Sequence, residues 1–238
     1  MILWNAPRIG LTRPCEAVCL FLCCCAIPYV VGCKEKAKEA QQPTPQVAVV
    51  KVSPEATKLL YDAVDKNQTQ TVKELIARGA DVNVKSDTGW PALIAAASNG
   101  NTEISGLLLQ AGAKVDAKEE RNGGTALYWA AAGGHTDTVK LLLDAKANPN
   151  LQNDHGIAPL MAVSLTYYPP GPPEKTCMAI ADLLLGKGAD VNEPDGNGML
   201  PRGAAASNGL KHMADFLKEH GGKCVAGSSG SLAHNCRD

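Results

Sequence analysis

The side chains best suited to chemistry are soft metal ligands near the C-terminus. His220 and Cys224 stand four residues apart, and His234 and Cys236 stand two apart. Four such ligands could hold zinc. They lie in a Gly/Ser-rich stretch without a Cys-x2-Cys pair, so no metal site is assigned. Cys224 and Cys236 could instead close a disulfide in an oxidising compartment, which would leave Cys177 free. Three reduced cysteines are the alternative, because spacing alone does not set connectivity. The chain contains no P-loop, no dinucleotide-binding glycine fingerprint, no H-E-x-x-H and no G-x-S-x-G. Its scattered Asp and Ser fall where turns and caps explain them. The expectation is a protein that is not an enzyme and needs no cofactor.

What remains is surface, and a repeat must position it. Gly79-Ala80, Gly112-Ala113, Lys146-Ala147, Gly188-Ala189 and Gly221-Gly222 follow one another at steps of 33, 34, 42 and 33 residues. A fixed period of this size signals stacked supersecondary units. The unit Ser86 to Lys118 shows how each is built. Gly89 makes a turn, and Pro91-Ala92-Leu93 starts a short helix with Pro in its first turn. Ala95, Ala96 and Ala97 give that helix a small-residue face, and Asn99-Gly100 ends it. Ile104, Leu107 and Leu108 form one apolar stripe of a second helix, which Gly112 stops. One such unit cannot bury its apolar face; several stacked units share a continuous core.

These residues resemble the ankyrin repeat, whose helix-turn-helix unit carries T-P-L-H-x-A and a later G-A-D-V-N. Gly79-Ala80-Asp81-Val82-Asn83 and Gly188-Ala189-Asp190-Val191-Asn192 match the second motif fully. Thr125-Ala126-Leu127-Tyr128-Trp129-Ala130 and Ala158-Pro159-Leu160-Met161-Ala162 match the first in part, and its His is absent from every copy. The resemblance implies an all-α, ankyrin-like solenoid of about five helix-turn-helix repeats with hairpin loops. Their approximate bounds are 53–85, 86–118, 119–152, 153–194 and 195–224.

It also implies a binding face made of hairpin tips and inner helices. Carried onto this chain, Trp90, Ile157 and Met199 form an apolar line, with Arg121 and His155 between them. Trp and Arg are residue types that anchor interfaces. For Trp90 the competing reading is partial burial against a neighbouring hairpin. Tyr128 and Trp129 lie on an inner helix and are read as core.

Repeat four breaks the pattern. Leu160 to Leu183 takes 23 residues, where Leu93 to Leu107 and Leu127 to Leu141 take 14. The nine extra residues lie around Tyr167-Tyr168-Pro169-Pro170-Gly171-Pro172-Pro173. Tyr167 and Tyr168 offer adhesive surface on a stiff proline-rich stretch; a tolerated surface insertion is the bland reading. Repeat five reads as a cap, with Arg202 where an inward Leu is expected and Lys211, Lys218, Glu219 and His220 on its outer side. Residues 225–238 read as a flexible tail.

The N-terminus is of another kind. Arg8 and Arg13 precede a 15-residue apolar core, Ala17 to Val31, long enough for a signal peptide and short for a membrane span. It ends in Val30-Val31-Gly32-Cys33, which resembles a bacterial lipobox. The resemblance implies a signal peptide over 1–32 and lipidation of Cys33. A polar linker over 33–52 follows, too poor in apolar residues to fold. The absence of Asp at position 34 favours the periplasmic side of the outer membrane. With 23 basic and 24 acidic residues, attraction to nucleic acid is not indicated. The sequence thus points to a monomeric, membrane-tethered protein-interaction scaffold in the bacterial cell envelope, its partner an unidentified protein. The alternatives are a metal-dependent or enzymatic accessory using the His/Cys cluster, and a stress-protective or immunity inhibitor of an envelope enzyme.

Overall fold

Two of the repeats begin at a residue whose side chain caps the first helix. Ser53 opens the first: its Oγ accepts the Ala56 N–H at 3.4 Å, and Pro54 follows at the first helical position. Thr125 does the same in the third, accepting the Tyr128 N–H at 3.2 Å. In the second repeat Pro91 is itself the cap, and the helix starts one residue later than expected, at Ala92.

A computed structural model describes residues 53–165 and 171–224. Among them are ten helices and no strands. They run α1 (Pro54–Asp65), α2 (Thr69–Ala77), α3 (Ala92–Ser98), α4 (Thr102–Gln110), α5 (Ala126–Ala132), α6 (Thr136–Asp144), α7 (Pro159–Ser164), α8 (Glu174–Gly186), α9 (Pro201–Ser207) and α10 (Lys211–Glu219). The odd-numbered helices pack on one another in sequence, and so do the even-numbered ones. The result is a two-layer, ankyrin-like solenoid of five helix pairs. The residues 1–52, Tyr167, Tyr168 and the tail lie outside the described residues.

The core follows the period. Leu75, Leu108, Leu142, Leu184 and Leu217 occupy one register position, and each is buried. Truncating any one to Ala should cost about 2–5 kcal/mol. On the inner row Leu93, Leu127 and Leu160 are buried, while Arg202 at the same place is half-buried. The alanines of α3, α5 and α9 are mostly buried, and their small side chains let the inner helices approach.

Two sets of polar contacts join the repeats. Asn83 Oδ1, Asp116 Oδ1, Asn150 Oδ1 and Asn192 Oδ1 accept the backbone N–H of Lys114, Asn148, Asp190 and Lys223 in the next repeat, at 2.7–3.0 Å. His135, after α5, reaches back with Nε2 to the Ser98 carbonyl at 3.0 Å. A carbonyl only accepts, so Nε2 carries the proton here. This histidine lies outside the first motif, yet it joins adjacent repeats.

The insertion in repeat four is partly helical. α4 and α6 begin five residues before their Leu triplets, whereas α8 begins at Glu174, nine before Leu183. About four of the nine extra residues therefore add one helical turn to α8.

Candidate functional site

The hairpin tips are held from within by one side chain each. Ser86 Oγ accepts the N–H groups of Thr88 and Trp90. Asn153 Oδ1 accepts those of His155 and Ile157, and Asp195 Oδ1 those of Asn197 and Met199. In repeat three the tip is one residue longer and the organiser is Glu119, whose longer carboxylate reaches the N–H groups of Arg121, Asn122 and Gly124. Glu119 is 2% exposed, so its carboxylate depends on these three donors. Adjacent tips also bond directly: Asp154 N–H to the Asn122 carbonyl at 2.8 Å, and Gly196 N–H to the His155 carbonyl at 2.9 Å.

This scaffold separates the residues expected to form an apolar line. Arg121 and His155 are exposed at their tips. Ile157 is 8% exposed and belongs to a buried cluster with Tyr128, Met161 and Ala204, against which Met199 packs half-buried. Trp90 is half-buried, and its ring centroid lies 5.0 Å from that of Trp129 at a tilt of 39°. Tyr128 meets Trp129 edge-on at 5.3 Å. Trp129, read as core from the sequence, is half-buried and forms a wall instead.

That wall bounds a cleft of about 520 Å³ on the inner-helix side. Trp90 and Trp129 line it together with Ser98, Ala132, Pro172 and Pro173. Pro172 closes one end by packing on Gly134, where a Cβ would collide with it. The backbone there has φ +76°, so Gly134 is needed twice over. Trp129 Nε1 is buried without a hydrogen-bond partner. It lies against Gly124, where a Cβ would sit 2.7 Å from it. The signals that could have located this cleft were the small residues Ala132-Gly133-Gly134 beside an inner-helix Trp. Sequence reasoning did not use them.

The remaining candidates divide by position. Cys33, Tyr167, Tyr168, His234 and Cys236 lie outside the described residues. Cys177 is free and buried, and burial pushes its thiol pKa up. Cys224 is disulfide-bonded. In that state it offers no thiolate to a metal. Among the described residues no group of three or more His, Cys, Asp or Glu is placed to hold an ion.

Residues 60–153 match the family model for ankyrin repeats, in three copies. An ankyrin repeat-containing protein of Treponema pallidum (strain Nichols) is 38% identical over 103 residues, 43% of this chain and 34% of that protein. Human mitochondrial disaggregase is 46% identical over 54 residues, 23% of this chain and 8% of that one. Human protein phosphatase 1 regulatory subunit 27 is 31% identical over 77 residues, 32% of this chain and 50% of that one. The chain spans half or less of the length of these relatives. Ankyrin repeats imply a protein–protein interaction scaffold, generally without enzymatic activity of its own.

Proposed function

We propose that this chain is a non-catalytic scaffold that binds another protein through its hairpin tips and inner helices. A lipid on Cys33 holds it at a bacterial membrane. The observation that carries the binding half is the cleft between Trp90 and Trp129, an aromatic hollow on the face built from those elements. Rigid aromatic side chains beside polar tips are what hot spots are made of. The regulatory subunit among the relatives is consistent with a role exerted by docking.

The tether rests on Val30-Val31-Gly32-Cys33 and on the polar KEKAKEAQQPTPQ behind it. Among the described residues no helix is long and apolar enough to cross a membrane. A lipidated Cys33 with more than one acyl chain would anchor the protein stably. Confinement near the membrane raises the effective concentration of partners there. Within this reading Cys236 is the partner of Cys224, and the protein acts as a monomer.

The binding half is tested by in-cell photo-crosslinking from Arg121 and His155, with Lys140 on the outer helix α6 as control. A shared adduct from the first two and none from Lys140 supports the assignment. Adducts from Lys140 alone would move the interface to the outer helices and overturn it. The tether is tested by detergent-phase partition of the full chain against Cys33→Ala: loss of the amphiphilic form is expected, and unchanged partition would reject lipidation at Cys33.

A further inference from the structure

We propose that Asn67 is the acceptor of an N-linked oligosaccharide, transferred from a polyprenyl-diphosphate-linked donor outside the cytoplasmic membrane, with Asp65 and Thr69 completing the acceptor. This rests on the export that the tether reading above implies.

Such a transfer requires Asn-x-Ser/Thr. Of the chain's asparagines only Asn67 has Ser or Thr two residues on, in Asp65-Lys66-Asn67-Gln68-Thr69. Bacterial transferases also demand an acidic residue two before the Asn, and Asp65 supplies it. A match this short arises by chance in a core as readily as on a surface; here the fold exposes it. Asp65 ends α1, Thr69 starts α2, and the three residues between them form the turn. Asp65 to Gln68 are exposed and Thr69 is half-buried.

Asn67 has φ 54°, where the equivalent turns carry Gly100, Gly134 and Gly209. Glycine meets such a turn at lower cost. Thr102 and Thr136 hold the register of Thr69, so the asparagine is what sets the first repeat apart. Asn67 Oδ1 accepts from Asn101 Nδ2 at 3.2 Å; its Nδ2, the atom that takes a sugar, makes no hydrogen bond among the described residues.

The turn also has room. His135 lies over Gly100 and Pro172 over Gly134, where an added Cβ would collide with them. Asn67 belongs to the first repeat, whose helices pack on each other and on those of the second repeat. An end repeat with neighbours on one side opens more readily than an internal one, which lets the turn extend into a transferase. Once the repeat closes, the bulky glycan stays on the surface. Hairpin tips precede the inner helices and this turn follows one, so a glycan here leaves the tip face open.

In the transfer the Asn67 amide nitrogen forms a bond to C1 of the first sugar. The bond from C1 to the diphosphate oxygen breaks, polyprenyl diphosphate leaves, and the amide proton passes to a base of the transferase.

The test is mass spectrometry of the full chain isolated from the membrane fraction of its own host. A glycan mass on the tryptic peptide 67–73 is expected. Thr69→Ala and Asp65→Ala should lose it, and Thr69→Ser, which keeps the hydroxyl, should retain it. Circular dichroism of the variants separates lost transfer from lost fold. An unmodified peptide from membrane-bound protein, a glycan at another residue only, or a glycan that persists in Thr69→Ala or Asp65→Ala would overturn the proposal. If the chain partitions into detergent through Cys33 yet Asn67 is unmodified, this proposal falls and the tether stands.

Discussion

Asn150 makes two hydrogen bonds into the next repeat: its Oδ1 accepts the Asp190 N–H at 2.8 Å, and its Nδ2 donates to the Gly188 carbonyl at 2.9 Å. Asn192 repeats this with Lys223 and Gly221. At the same register Asp116 makes only the acceptor half, with the Asn148 N–H. At Asn150 and Asn192 the side-chain amide thus adds a bond that a carboxylate cannot, while Asn83 at the same register is seen accepting the Lys114 N–H. Asn150→Ala should cost about 1–2 kcal/mol, and Asn150→Asp roughly half of that, since each net hydrogen bond is worth about 1 kcal/mol. Urea unfolding of the two variants checks this; equal costs would show that only the acceptor bond matters.

Lys146 occupies the turn position that Gly79, Gly112, Gly188 and Gly221 fill in the other repeats. Its φ is 68°, against 80°, 93°, 90° and 85° for the glycines. A side chain in the left-handed region costs about 1–2 kcal/mol, part of which glycine gives back in chain entropy. Lys146→Gly should therefore stabilise the fold by about 0.5–1 kcal/mol, raising Tm by about 1–4 °C. A lower Tm would mean that Lys146 makes a compensating interaction.

Glu174 ties the first turn of α8 to the start of α10. Its Oε1 accepts the Met213 N–H at 3.0 Å, and its Oε2 lies 2.9 Å from His212 Nδ1. The Met213 N–H holds the carboxyl below its ordinary pKa; partial burial opposes this, and His212 reinforces it. A folded pKa below the unfolded one means stability that is present above the ordinary carboxylate pKa and lost as the pH falls through the folded value. Glu174→Ala should cost about 1 kcal/mol at pH 7, as loss of a cap does. Glu174→Gln should flatten the acid limb of the stability profile below about pH 4.3. Unfolding free energies measured from pH 3 to 7 test both, and an unchanged acid limb in Glu174→Gln would remove this group from the acid response.

Much of this fold was legible because its determinants are local and periodic. Gly89, Gly156 and Gly198 mark the tips, and the recurring Leu positions mark the core; the junction role of Asn83, Asn150 and Asn192 came only with the structure. The site was less legible because it depends on contacts between distant residues. Ile157 follows a turn Gly just as Trp90 does, yet its side chain is buried with Met161 while Trp90 stays half-buried. Trp129 sits on an inner helix like its buried neighbour Tyr128, and its role as a wall emerges only once Pro172 is seated on Gly134. His135 likewise looks like an ordinary turn residue until Ser98 is found opposite it.

Two glycines should respond to the same substitution with opposite signs. Gly124 and Gly106 both lack the positive φ that excludes alanine. A Cβ on Gly124 would lie 2.7 Å from Trp129 Nε1 and 3.0 Å from Tyr128 Cδ1, so two packed rings must move. On Gly106, inside α4, the nearest atom is Leu141 Cδ2 at 3.8 Å, an ordinary contact. Gly124→Ala should destabilise by about 1–3 kcal/mol through overpacking. It should also shift Trp emission, because Trp129 forms the cleft wall. Gly106→Ala should stabilise by about 0.5–1 kcal/mol through helix propensity and leave the emission unchanged. Paired thermal melts and emission spectra decide the matter. A Gly124→Ala protein as stable as the parent, with unaltered emission, would show that the Trp129 ring is free to move and that the cleft has no fixed wall.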